Sequence, residues 1–384
     1  MRLSFPIVLL CLGAAFAASA APKNATDATP REPAKYSAAA GRGATVEIGD
    51  RDGVDFRIDI PPNWNRDLVV FFHGYAVEPV AFHDGEPLSP MFAPILAGGY
   101  AIAQSAYSAT GWAVEQGSAD SEALRRYFVS KYGAPRRTWA VGMSMGGLLT
   151  VMALETQPRT YAGGLSLCGA IEPADRFLQR AFALRAAFDY YFPDLLGPAV
   201  PVPADFVPNR DVVARIASAL EAKPKAAAVL LRLYHGDARS LADVLAFVTY
   251  QMKELQRRTR GNPFGNADLV YTGSGDDDAL NDGVRRYRAD ASAAAYLARW
   301  YAPSGRLQKP LLALHDTRDP LVPASGAFEY ALLAQRAGQA DRFVQQYVAA
   351  EGHCVFTPPQ IGSAFDALVG WAQGGARPAS GRQP

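Results

Sequence analysis

Residues 138–154 constrain the fold more than any other stretch of this chain. Thr138 to Gly142 is a mostly apolar run, Leu148 to Leu154 is a second one, and Gly142-Met143-Ser144-Met145-Gly146 joins them. A short run without polar alternation fits a strand buried on both faces, as in a parallel sheet. A serine held on a sharp strand-to-helix turn needs glycines beside it, because side chains there would block the reversal of the backbone. The segment therefore asks for a buried strand, a tight turn with Ser144 at its apex, and an apolar helix.

The rest of the chain supplies a sheet to receive that strand. Thr45–Gly49 and Val54–Ile60 flank the turn Asp50-Arg51-Asp52-Gly53, and Val54, Phe56, Ile58 and Ile60 alternate as in a hairpin with one buried face. Leu68–Phe72 is another continuous apolar run and ends in His73-Gly74. Tyr100–Ala103, Tyr161–Cys168, Leu311–Leu314 and Phe343–Val348 read as further strands. Ser121–Tyr132 reads as a helix with Leu124, Tyr127, Phe128 and Tyr132 on one side, and Pro359–Gln373 as a closing helix with Ile361, Phe365, Leu368, Val369 and Ala372 at helical spacing. Alternating strands and helices give an α/β class: a mostly parallel central sheet with helices on both faces. Residues 44–170 and 308–375 form this core. Residues 171–307 break the alternation with helical stretches such as Arg176–Phe188, Arg210–Glu221 and Leu241–Thr259, separated by Pro198, Pro201 and Pro203, and read as a large helical cap insertion.

Residues 1–20 read as a signal peptide: Arg2, an apolar run from Phe5 to Ala18, and the small-residue pattern Ala18-Ser19-Ala20. The run falls short of the ~20 apolar residues that span a bilayer, so no membrane span is expected. Residues 21–43 read as a flexible lead. Export would place the chain in a secreted or periplasmic setting and remove Cys11, leaving Cys168 and Cys354 of the three cysteines. Cys168 ends the strand before the cap and Cys354 follows His353, so both lie near the carboxyl edge of the sheet and a disulfide between them is expected, with two separate thiols as the alternative. The formal net charge is +1 over 384 residues with no basic block, which gives nucleic acid no electrostatic footprint.

A serine nucleophile needs a base, and the base needs an orienting acid. The histidines are His73, His83, His235, His315 and His353. His353 follows the Phe343–Val348 strand just before the last helix, which makes it the candidate base. His315 stands nearer the end of its own strand and is read as packing or hydrogen-bonding there. The acid is sought in His315-Asp316-Thr317-Arg318-Asp319-Pro320, where Asp319 is favoured and Asp316 is read as capping the loop backbone. Two backbone N–H groups must meet the developing negative charge. Met145, which follows the serine, and Tyr75, in the loop after Leu68–Phe72, are the candidates. His73 is read as a brace for that loop.

Phe71-Phe72-His73-Gly74, the Gly142–Gly147 turn, Asp319-Pro320-Leu321-Val322-Pro323 and Gly352-His353 together resemble the α/β-hydrolase superfamily, in forms similar to secreted esterases, polyester depolymerases and prolyl-oligopeptidase-like hydrolases. The resemblance covers the sheet and leaves the cap unassigned. It implies an α/β-hydrolase fold and acyl transfer through a covalent intermediate on Ser144, with His353 as base and Asp319 as acid. It further implies a small-molecule or oligomeric ester as substrate, and no metal or organic cofactor. A serine peptidase on the same fold and a non-catalytic binding protein that kept the fold are the alternatives.

Two further features stand out. Trp112, with Tyr107, Met143 and Met145, is a candidate wall for an acyl or aromatic pocket, against plain packing. Asp276-Asp277-Asp278 offers carboxylates to calcium, but the spacing of a metal loop is missing and a helix start explains the run better.

Overall fold

The computed structural model describes residues 36–37, 44–234 and 237–383. The signal peptide with Cys11, nearly all of the lead, and His235 lie outside the described residues. Ten strands form one sheet: β1 (Tyr36–Ser37), β2 (Thr45–Arg51), β3 (Val54–Ile60), β4 (Asp67–Phe72), β5 (Ala101–Ser105), β6 (Arg137–Met143), β7 (Gly163–Leu167), β8 (Leu311–Arg318), β9 (Phe343–Glu351) and β10 (Gly381–Arg382). Their order is β1-β2-β3-β5-β4-β6-β7-β8-β9-β10. The pairs from β5 through β4, β6, β7, β8 and β9 to β10 are parallel, and β1, β2 and β3 add an antiparallel edge.

The side chains of the central strands alternate between two cores. Leu68, Val70 and Phe72 of β4 and Ala140 of β6 enter one. Val69 and Phe71 of β4 and Trp139 and Val141 of β6 enter the other. This is why β4 is buried along its whole length and its sequence shows no polar alternation. Helices α1 (Ala93–Ala97) and α11 (Pro358–Ala372) close the second core through Ile95, Ile361, Phe365 and Leu368. Helices α2 (Val114–Tyr132) and α3 (Met145–Thr156) close the first through Leu124, Phe128, Leu148 and Val151. Every residue of α3 from Met145 to Leu154 is buried, as an all-round apolar helix requires. The mostly parallel sheet, covered by helices on both faces and entered through a strand–serine–helix turn, is the α/β-hydrolase fold.

Two expectations are corrected at the edges of this sheet. The β2–β3 hairpin is buried on both faces at its centre. Opposite Phe56 and Ile58 lie Arg57 and Asp59, a buried ion pair at 2.9 Å, and Arg57 also donates to Glu86 O at 2.7 Å. Strand β8 runs on to Arg318, so His315 and Asp316 are strand residues, because the β8–β9 ladder continues past an irregularity between Asp316 and Arg318.

Six helices separate β7 from β8: α4 (Ala174–Tyr191), α5 (Arg210–Ala222), α6 (Pro224–Tyr234), α7 (Ala238–Thr259), α8 (Asp277–Gly283) and α9 (Ala291–Arg299). Their apolar faces share the first core. Polar contacts tie them to loops that follow core strands. Glu254 of α7 accepts Trp112 N–H at 3.1 Å and pairs with Arg258 at 2.6 Å, while Arg258 donates to Thr110 O at 2.6 Å. Tyr234 of α6 donates to Pro320 O at 2.8 Å. Asp276 caps α8 by accepting Ala279 N–H at 3.2 Å, and Asp277 accepts Ser274 N–H at 2.7 Å. The aspartate run thus starts a helix. No helix among the described residues is long and apolar enough to cross a membrane.

Candidate active site

The site is built where β6 ends. Ser144 has φ 56 and ψ −121, a backbone conformation that non-glycine residues rarely adopt. The surroundings hold it there. Ser144 N–H donates to Leu167 O of β7 at 3.0 Å, and Ser144 O accepts from Gly147 N–H at 2.9 Å and Ala170 N–H at 3.2 Å. The two glycines are required by contact. A Cβ on Gly142 would lie 2.1 Å from Gly146 O, and a Cβ on Gly146 would lie 1.9 Å from Phe72 O. Neither backbone oxygen has room to yield, so the turn closes only with glycine at both positions.

His353 and Asp319 meet Ser144 from two other strand ends. His353 lies in the turn after β9, and its Nε2 is 2.8 Å from Ser144 Oγ. Its Nδ1 is 2.7 Å from Asp319 Oδ2. The carboxylate accepts, so the proton sits on Nδ1 and Nε2 is left to accept from the serine hydroxyl. The other carboxylate oxygen, Oδ1, accepts Leu321 N–H and Val322 N–H, both at 2.9 Å. Burial works against the charge on Asp319. The adjacent His353, through its charge and its hydrogen bond, and His315 at 3.6 Å outweigh it and hold the carboxyl below the ordinary aspartate range. His315 Nε2 lies 2.8 Å from Val322 O, a hydrogen bond that ties β8 to the loop after it. Asp316 is buried and accepts Val355 N–H at 3.1 Å, so it does hold backbone, but the backbone of the base turn.

The loop after β4 comes against the serine from the opposite side. A Cβ on Gly74 would be 3.2 Å from Ser144 Cβ, which puts Tyr75 one residue from this close approach to Ser144. His73 stacks on Tyr107 with ring centroids 3.7 Å apart and reaches Gly74 O at 2.7 Å and Ala106 O at 3.2 Å. Gly111 N–H donates to Ala76 O at 2.8 Å and closes the brace. Met145 opens α3, so its N–H belongs to the helix's first turn and has no intrahelical acceptor.

Cys168, one residue past β7, and Cys354, next to His353, form a disulfide with Cα atoms 5.3 Å apart. Cys168, His353 and Cys354 bring their donor atoms within metal-ligand reach of one another, yet sulfurs bonded to each other offer no thiolate to a metal. Trp112 is 2 % exposed. It donates to Trp300 O at 3.3 Å and stacks with Phe177, which joins the loop after β5 to α4 and to the end of α9. Sequence reasoning missed the contact of Tyr234 with Pro320 and those of Glu254 with Trp112 and Arg258 with Thr110. All join residues far apart in the chain, and no local pattern announces them.

No family model matches the chain, and no curated protein matches it. Among solved structures, the Pyrococcus furiosus esterase Pf2001 is similar at 12 % identity over 88 % of this chain and 90 % of its own, with a TM-score of 0.45. The Pyrococcus horikoshii acylaminoacyl peptidase is similar at 11 % identity over 91 % of this chain, with a TM-score of 0.46. A puromycin-hydrolysing peptidase of Mycobacterium tuberculosis is similar at 13 % identity over 88 % of this chain, with a TM-score of 0.43. The chain spans 43 % and 41 % of the lengths of these two peptidases.

Proposed function

We propose that the chain is a secreted or periplasmic serine hydrolase that cleaves carboxylic esters through an acyl-enzyme on Ser144. The observation that carries this reading is the unbroken relay from Ser144 Oγ through His353 to Asp319, with bonds of 2.8 and 2.7 Å. His353 Nε2 takes the serine proton as Oγ attacks the ester carbonyl. Asp319 keeps the imidazole in the required tautomer and balances the charge that forms on it. Tyr75 and Met145 N–H groups meet the oxyanion, a role supported by the fixed approach of Gly74 to Ser144 and by the place of Met145 at the first position of α3, where its N–H has no intrahelical acceptor. His353 then gives its proton to the leaving alcohol, and water repeats the sequence on the acyl-enzyme. No step calls on a metal or an organic cofactor. Export is supported by the leader-like N-terminus and by the disulfide, which persists in oxidising compartments.

The test is a panel of short-chain esters, feruloyl esters, polyester oligomers and aminoacyl anilides, with Ser144→Ala as control. Turnover of an ester class that vanishes in Ser144→Ala is expected. Cleavage of anilides alone would assign a peptidase. Inactivity on every class would favour a binding protein.

A further inference from the structure

Asp316 takes no part in the relay just described, yet its placement is expensive. The residue is fully buried. Its Oδ2 accepts Val355 N–H at 3.1 Å, and its Oδ1 has no hydrogen-bond partner among the described residues. A buried carboxylate with one oxygen unsatisfied costs more than a neutral group of the same shape. An amide oxygen at this position would accept the same N–H without bringing a charge. Holding the turn therefore does not explain why the group is an acid.

The charge has a use only where positive charge appears nearby. The charged groups that act electrostatically on Asp316 are Asp319 from the loop after β8, His315 from β8, and His353 from the turn after β9. Val355, whose N–H Asp316 holds, is two residues past His353. Of these groups, His353 is the one that gains a proton when Ser144 is activated in the reaction proposed above. Burial raises the Asp316 carboxyl to about 6, the Val355 N–H pulls it down and Asp319 pushes it up. The side chain is thus ionised at neutral pH and becomes neutral in mild acid.

We propose that Asp316 is a second positioning residue for the base: one oxygen fixes the turn that carries His353, and its charge supports the imidazolium formed in the transition state. The inference rests on the ester-hydrolase reading and adds a residue to it. It divides the work of the two aspartates. Asp319 sets the tautomer by direct contact, and Asp316 acts through the field and the turn.

The experiment uses the full mature chain and an ester turned over by the wild type. Asp316→Asn keeps the acceptor for Val355 N–H and removes the charge. It is expected to lower kcat on the order of tenfold with KM unchanged. The acid limb of kcat/KM should move to lower pH, since one negative charge fewer makes protonation of the base less favourable. The melting temperature should stay level or rise. Asp316→Ala loses the acceptor as well, and should fall further in kcat and melt lower than Asp316→Asn. Wild-type kcat and an unmoved pH profile in Asp316→Asn would reduce Asp316 to a turn cap and overturn the inference. Failure of Asp316→Asn to fold would also overturn it, because the turn would then need the charge. Ser144→Ala is assayed alongside: turnover that survives it removes the ester-hydrolase reading and this inference together.

Discussion

The disulfide Cys168–Cys354 offers a perturbation whose size follows from the chain. Its half-cystines are 186 residues apart, so the bond closes a loop holding helices α4 to α9, β8 and β9. For a loop of that length the chain-entropy relation gives about 5 kcal/mol of destabilisation of the unfolded state at room temperature. Native strain and residual unfolded structure commonly reduce such values, leaving roughly 2–4 kcal/mol. The double variant Cys168→Ala/Cys354→Ala should therefore unfold at distinctly lower denaturant. The bond also sits beside the chemistry, since Cys354 Sγ lies 3.6 Å from His353 Nε2. The base turn keeps its Asp316 and Asp319 contacts without the disulfide, so activity should drop by less than tenfold below the unfolding transition. Equilibrium unfolding in guanidinium, followed by fluorescence and by residual ester turnover, measures both effects. An unchanged midpoint would refute the loop-closure reasoning. A loss of activity as large as that of Ser144→Ala would mean that the disulfide alone holds the base.

Three further outcomes are expected. Asp319→Ala should cost about 10³–10⁴ in kcat, since the relay loses its orienting acid, and activity above a tenth of wild type would reassign the acid. Glu254→Ala leaves Arg258 buried without its partner and frees Trp112 N–H, so it should destabilise by roughly 3–5 kcal/mol and expose residues 171–307 to limited proteolysis; an unchanged digestion pattern would contradict the core-to-cap link. Gly146→Ala drives a Cβ to 1.9 Å from Phe72 O and should yield little folded protein, and a soluble, active Gly146→Ala would show that the turn can open.

What the sequence made legible follows from burial. Strands covered on both faces leave continuous apolar runs, and β4 and β6 were readable for that reason. The start of α2 was not, because Val114–Asp120 is short of apolar residues. Gly117 is the close contact there, 3.0 Å from Leu149 and Tyr107 as the site of a Cβ. Asp276 was readable because capping is local. Trp112 was not, because its partners Trp300 and Glu254 lie 188 and 142 residues along the chain. The chain order of Ser144, Asp319 and His353 was legible, but the burial of Asp316 depended on how far β8 runs beside β9, which only pairing decides.

The central claim is that Ser144 is the nucleophile, lifted on a strained turn and bonded to His353. Intact-mass measurement after treatment with a serine-directed phosphonate tests it most directly. One adduct on the wild type, mapped to the peptide containing Ser144 and missing from Ser144→Ala, is expected. A Ser144→Ala protein labelled to the same extent as the wild type would contradict the claim.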